Sequence, residues 1–359
     1  MTRQIRTAII GVGKVAHTYA QALKTLPRSQ FVAVCGRDMG RTTAFATQYG
    51  VQPFTDLTAM IHEAGIEAVV IATPHPLHAD QAVAAAQAGA HVLVEKPMAI
   101  TAADCDRMIA AAQQNGVKLG VISQRRLYAP VQRIRAAIDA GKIGRPIVGS
   151  VTMLGWRSAE YYEMDAWRGT WEGEGGGVMV NQAVHQLDIF QWLMGPIAEV
   201  FGYWANLNHP TIEVEDTAVA VVRFRSGALG TVLVSNSQNP GLYGHIHVHG
   251  ENGASIGVQT ESGSTFISGV TVAVDPPYND LWTVPNETHL LAAWQAEDRA
   301  SVDTIDFLTY FHIRQIEDFL DAILEDRPPL VTGEEGRKGV ALFEAIYESQ
   351  RTNQPVRFE

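Results

Sequence analysis

The chain has 359 residues, 46% apolar and 18% charged, enough to bury one large core or two ordinary ones. A net charge of −11, with no long Lys/Arg run, sets nucleic acid aside as a partner. No apolar stretch approaches the roughly 20 residues of a membrane span, and Met1-Thr2-Arg3-Gln4 runs into a strand rather than a signal peptide. Cys35 and Cys105 fall on an expected strand and an expected helix, so a reduced, cytoplasmic protein without disulfides is expected.

Up to about residue 123, short apolar runs alternate with amphipathic helical ones. Strands are expected at 6–10, 31–35, 52–54, 68–72, 91–94 and 118–122, and helices at 19–26, 42–49, 79–88 and 102–115. Gly89 and Gly116 sit where helix-terminating glycines belong. Such alternation implies parallel pairing through right-handed crossovers, a doubly wound Rossmann-type sheet over 1–123.

The rhythm then changes. A helix at 130–140 ends at Gly141, a strand-like run covers 147–153, and a Gly/Trp/Tyr-rich stretch leads to a helix over 178–194. Period-two runs follow at 199–204, 218–224, 228–234, 245–248 and 266–272, before helices at 305–324 and 334–349. This predicts an α+β domain over 124–359 with a large, mainly antiparallel sheet.

Gly11-Val12-Gly13-Lys14-Val15-Ala16 fits G-x-G-x-x-A between the first strand and the first helix. The first glycine allows the tight turn, the second lets backbone approach a pyrophosphate, and Ala16 lets helix and strand pack closely. At the ribose-reading end of the second strand stands Cys35-Gly36-Arg37-Asp38. Gly36 leaves room for a 2′-phosphate that Arg37 would pair with, which favours NADP(H). Asp38 on the ribose, with Arg37 on the adenine, would instead give NAD(H).

Thr73-Pro74-His75-Pro76-Leu77-His78 follows the fourth strand, where loop groups would line the nicotinamide-ribose side. Glu95-Lys96-Pro97 closes the apolar run at 91–94 and puts a lysine at the ligand edge of the sheet. Gly175-Gly176-Gly177 precedes Asn181, His185 and Asp188, with Asn181 and His185 four apart and therefore expected on one helix face. His185 suits proton transfer because imidazole titrates near working pH. Trp167 and the guanidinium groups of Arg126, Arg157 and Arg168 are candidate walls of a polyol site. His245-Ile246-His247-Val248-His249 has alternate histidines facing one way on a strand, but no acidic partner is evident, and no metal is expected.

Together, Gly11–Ala16, Thr73-Pro74 with His78, Ala88-Gly89-Ala90-His91-Val92 leading to Glu95-Lys96-Pro97, the Gly175–Gly177 run with His185 and Asp188, and the ending Gly333 to Ser349 resemble the glucose–fructose oxidoreductase/inositol dehydrogenase (Gfo/Idh/MocA) family. The resemblance implies a Rossmann domain joined to an α+β domain whose open sheet builds a homo-oligomer, a dimer or tetramer. It implies Lys96 on the substrate hydroxyl, on a cis Lys96-Pro97 bond, and His185 as acid/base. The substrate would be a sugar, sugar derivative or cyclitol. Asn181 stands where many members carry aspartate, and His75 where asparagine is common. A redox-neutral NAD-dependent glycosidase and a non-catalytic dinucleotide sensor are the alternatives on this fold.

Overall fold

The computed structural model describes residues 3–262, 266, 267, 270, 271, 276–301, 304–306 and 309–358. Its elements begin with β1 (Ile5–Ile10), α1 (Lys14–Thr25), β2 (Ser29–Cys35), α2 (Met39–Tyr49), β3 (Gln52–Phe54) and α3 (Leu57–Glu63). Then come β4 (Ala68–Ile71), α4 (His78–Gln87), β5 (His91–Val94), α5 (Ala102–Gln114) and β6 (Leu119–Val121). The middle holds α6 (Ala129–Asp139), β7 (Pro146–Leu154), α7 (Ala159–Glu163), α8 (Trp171–Glu174), α9 (Val178–Asn181) and α10 (Val184–Met194). A run of strands follows: β8 (Ile197–Ala205), β9 (Thr217–Phe224), β10 (Leu229–Ser235), β11 (Tyr243–Gly250), β12 (Ser255–Ser262), β13 (Phe266–Ile267), β14 (Val270–Thr271) and β15 (Tyr278–Trp282). The chain closes with α11 (Leu290–Ala300), α12 (Tyr310–Leu324), α13 (Gly333–Thr352) and β16 (Val356–Arg357). Of the expected strand at 266–272, residues 268, 269 and 272 lie outside the described residues, as do 307 and 308 of the expected helix at 305–324.

The chain forms two compact units, Met1–Gln124 with Leu308–Val340, and Arg125–Phe307 with Ala341–Glu359. In the first, six strands lie in the order β3-β2-β1-β4-β5-β6, all parallel. β4 is buried throughout because helices cover both faces, which explains its unbroken apolar run. Asp38, Asp56 and Thr101 cap α2, α3 and α5 by accepting from Arg41, Ala59 and Asp104 backbone N–H groups. Gly89 (φ 87°) and Gly116 (φ 64°) adopt the left-handed conformation just beyond α4 and α5, as expected.

The expected division at 123/124 needs one amendment, because 308–340 returns to the first unit. Its helix α12 buries Ile316, Phe319 and Leu320 in the core that contains Ile5, Tyr19, Leu23, Leu93 and Ile122. Gln315 ties it to the edge strand, accepting from Ser123 N at 2.8 Å and donating to Val121 O at 2.8 Å. Amphipathic periodicity shows that such a helix has a buried face but not which core receives it.

In the second unit, eight strands run β15-β12-β11-β7-β10-β9-β8-β16. All pairs are antiparallel except β7 with β10, so the sheet is mixed. Along β9, buried and exposed residues alternate, the mark of a sheet covered on one face only. No described helix is long and apolar enough to cross a membrane.

Candidate active site

The turn after β1 has the geometry a dinucleotide requires. Gly11 has φ 111°, and a Cβ there would stand 2.6 Å from Ala72 O, so only glycine fits. At Gly13 a Cβ would meet nothing within 4 Å. Gly13 is also the N-cap of α1 and makes no side-chain cap hydrogen bond, so the helix begins with its first-turn N–H groups uncapped by a side chain there. This cradle fits a pyrophosphate. Ala16 is fully buried against the sheet, as a close helix–strand contact demands.

At the ribose end, Arg37 and Asp38 are exposed. Asp38 Oδ1 accepts from Arg41 N at 2.8 Å, so one carboxylate oxygen is engaged in capping α2. Gly36 has a packing reason of its own, since a Cβ there would overlap the Thr42 hydroxyl.

Lys96 is positioned from both sides. Behind it, Glu95 is buried; its carboxylate accepts from Lys96 N at 2.8 Å and from the fully buried Tyr19 hydroxyl of α1. Burial and the Glu95 charge both push the Tyr19 phenol well above its ordinary value, so it remains a donor. Ahead of it, Lys96-Pro97 is cis. His78, expected to line the cofactor, is instead wholly buried, with Nδ1 2.9 Å from Pro97 O and Nε2 2.9 Å from Thr73 O. It works as a strut between the Thr73-Pro74 turn and the lysine segment, and burial lowers its pKa. His75 is buried with its ring edge-on to His78 at 5.8 Å, and Thr73 donates to Gln81 Oε1 at 2.6 Å.

In the second unit, the glycine run is shaped by what presses on it. A Cβ at Gly176 would overlap the Tyr347 hydroxyl, and one at Gly177 would overlap Glu215 O. The Glu215 carboxylate, fully buried, accepts from Gly177 N at 2.8 Å and Met179 N at 3.1 Å and so caps α9. Burial lifts its pKa to about 7 against the lowering effect of those hydrogen bonds.

The expected continuous helix over 178–194 is broken at Gln182 and Ala183, so Asn181 and His185 do not share one helix. Ala183 N reaches back five residues to Val178 O at 2.8 Å. The cause is lateral tethering. Asn181 Nδ2 donates to Tyr161 Oη at 3.1 Å and to the buried Glu174 carboxylate, while Gln182 reaches Tyr161 and Asn236. His185 is buried in the first turn of α10.

Of the three guanidinium groups expected at a substrate, Arg126 is committed elsewhere. It is 3% exposed, pairs with both oxygens of Asp188 at 2.8 and 2.7 Å, and stacks 5.1 Å from the Trp192 ring. Arg157 and Arg168 both lie over the Tyr161 ring, at 5.3 and 4.4 Å, and Arg168 also lies over Trp167 at 4.5 Å. Arg157 Nη1 donates to Trp156 O at 2.7 Å, while its buried Nε has no hydrogen-bond partner. Sequence reasoning missed Glu174 and Glu215. Glu174 adjoins the glycine run and carried that much signal; Glu215 lies 38 residues from Gly177 and carried none.

A six-stranded parallel sheet with an open phosphate-binding turn, and a lysine fixed at the end of its fifth strand, define the dinucleotide-binding oxidoreductase class. Residues 5–123 match the oxidoreductase family with NAD-binding Rossmann fold, and 131–256 the GFO/IDH/MocA C-terminal domain. The chain belongs to the Gfo/Idh/MocA oxidoreductases. It is 27% identical over 371 residues to scyllo-inositol 2-dehydrogenase (NAD(+)) of Bacillus subtilis, covering 100% of this chain and 98% of that one. With myo-inositol 2-dehydrogenase of Thermotoga maritima it shares 26% over 363 residues, covering 99% of each. The WlbA dehydrogenase of Bordetella pertussis, solved with NADH and UDP-GlcNAcA, superimposes with a TM-score of 0.84 at 31% identity, over 99% of both chains.

Proposed function

We propose that this protein moves a hydride between a nicotinamide dinucleotide and a secondary alcohol carbon of a sugar, sugar derivative or cyclitol. The observation that carries this reading is Lys96, whose backbone N–H is held by the buried Glu95 carboxylate, in the same unit as the open cradle at Gly13. The named activities of the inositol dehydrogenases and the sugar-nucleotide complex of the WlbA dehydrogenase support the substrate class. When bound, the dinucleotide supplies the hydride acceptor or donor. Gly11, Gly13, Lys14, Val15 and Ala16 hold its pyrophosphate, and Gly36 to Asp38 its adenosine ribose.

In oxidation, the Lys96 ammonium orients the substrate hydroxyl and stabilises the charge that develops on its oxygen. His185 takes the hydroxyl proton and returns it in reduction. Asn181, its amide fixed by Glu174 and Tyr161, positions the substrate together with Arg157, Trp167 and Arg168. Incubation with a panel of polyols and sugars, followed by nicotinamide absorbance with both cofactors, tests the reading. Tight dinucleotide binding without turnover on any of them would favour a sensor instead.

For the cofactor, the proposal is NADP(H) over NAD(H). No carboxylate stands at Gly36 to repel a 2′-phosphate, Arg37 is exposed, and Asp38 is partly spent on capping α2. A charge-assisted contact from Arg37 is worth about 1.5–3 kcal/mol, or roughly ten- to a hundredfold in affinity. Calorimetry should show tighter NADPH than NADH binding, with Arg37→Ala removing the gap. Tighter NADH binding, as the NAD(+)-dependent inositol relative suggests, would assign the ribose to Asp38.

The open sheet face supports a homo-oligomer. Tyr203 (58% exposed) on β8 stands opposite Val219 on β9, which stands opposite Leu233 on β10, and Val221 (60%) lies two residues further along β9. Contiguous apolar exposure of this kind marks an interface, and a second copy through a two-fold axis is the usual cover. Light scattering should give a dimer or tetramer, and Val221→Arg should dissociate it; a native monomer at all concentrations rejects this. A cytoplasmic location is part of the same proposal, supported by two buried cysteines.

A further inference from the structure

His245 and His247 point the same way from β11, as alternate strand residues must. Between β11 and the edge strand β15 runs β12, which pairs with both. The β12 residue opposite His247 is Gly257, whose other neighbour is Leu281, next to Asp280. A Cβ at Gly257 would overlap the His247 ring and stand 2.8 Å from Asp280 Oδ1. Glycine at this one place lets Asp280 reach over the intervening strand. There Asp280 Oδ2 meets His247 Nε2 at 2.8 Å and also His245 Nδ1.

Two features go beyond a hydrogen-bonded cluster. Both imidazole nitrogens converge on one carboxylate oxygen, so each ring must spend an N–H on the same acceptor. The second oxygen, Oδ1, is buried with no hydrogen-bond partner. A buried carboxylate oxygen left unmatched costs energy that a ligand would recover. The three ligand atoms lie within 4.8 Å of one another, close enough for small side-chain shifts to bring each to the roughly 2.0–2.2 Å of a zinc bond.

We propose that His245, His247 and Asp280 form a three-ligand site for Zn²⁺, with the fourth position open to water. The donor set decides the metal class. Two imidazoles and one carboxylate suit Zn²⁺ and its late first-row neighbours, whereas Mg²⁺ and Ca²⁺ call for oxygen ligands. Side-chain exposures of 21%, 29% and 14% leave a route from solvent and room for the water. The ion would clip β11 to β15 across Gly257, fastening the outer strands of the sheet. None of the three residues belongs to the hydride-transfer machinery.

The test uses the full-length, untagged chain, stripped with chelator and titrated with zinc chloride against a chromophoric competitor. The expected result is one tight Zn²⁺ per chain. His247→Gln and Asp280→Asn should each weaken it by at least 10- to 100-fold, the loss typical of disturbing even the groups that support metal ligands. NADH binding, read by fluorescence, should be unchanged in both. Equal zinc affinity in the native chain and the double variant, or no tight site at all, overturns the proposal. Should the variants fail to fold, the native chain still decides. Zinc must shift the ring ¹⁵N resonances of two histidines together, and Co²⁺ must give the intense visible bands of a four-coordinate site; absence of either overturns it.

Discussion

Replacing Lys96 by alanine is expected to lower turnover roughly 100- to 1,000-fold, the usual cost of losing one group that stabilises an oxyanion, with dinucleotide affinity nearly unchanged. Charge on the substrate oxygen is small in the ground state and grows as the hydride leaves, so the ammonium contributes mostly in the transition state. The rest of the assembly supports that division of labour. The strut to Pro97 comes from His78, and the tie to α1 comes from Glu95 through Tyr19. The alanine variant keeps both, so the cradle at Gly13 is left intact. Lys96→Arg should not restore activity, because a planar guanidinium cannot take the place of a compact ammonium. Turnover within a few-fold of the native rate would remove Lys96 from the mechanism.

The second large effect concerns His185. Alcohol oxidation should accelerate as pH rises and the imidazole becomes able to accept a proton, and His185→Ala should lose this step along with roughly 10²–10⁴ of the rate. Reduction should show the opposite slope, because there the imidazolium is the reactant. A pH step that persists in the variant would assign the base elsewhere, with Lys96 the first candidate. Asn181→Asp is informative beside it. The native amide donates to the Glu174 carboxylate, so aspartate there would set two carboxylates face to face, and one would hold its proton. Lower activity in that variant, recovered by Glu174→Gln, would show that Glu174, seven residues away in sequence, supplies the carboxylate at this place.

The first unit was legible in the sequence to within a few residues per element, because parallel strands buried on both faces leave unbroken apolar runs and the fingerprint fixes the first turn. The helix α3 escaped, being only seven residues long. In the second unit the sheet's alternation was plain, but β12, β15, α11 and β16 were not foreseen, and with β15 went Asp280. The break in the 178–194 helix was equally hidden. Periodicity reports which face is buried; it is blind to sideways hydrogen bonds such as those from Asn181 and Gln182. Arg126 shows the same limit, since a guanidinium beside a cleft and one paired with Asp188 look identical in one dimension. Glu215 and Tyr347, which mould the glycine run, come from distant segments that only the fold unites.

The return of residues 308–340 to the first unit has a consequence for how the protein is made. The strand-and-helix part emerges from the ribosome first, yet the apolar surface around Tyr19, Leu23 and Leu93 waits for Ile316, Phe319 and Leu320. Leu93 and Ile316 lie 223 positions apart in the chain, so closure carries the entropy of a long loop and comes late. Until then the nascent chain shows an oily flank to solvent, the kind of surface that holdase chaperones bind. A gene fragment ending at residue 124 would carry that flank permanently, and one in which α12 is joined directly to β6 should be the shortest dinucleotide-binding piece that stays in solution.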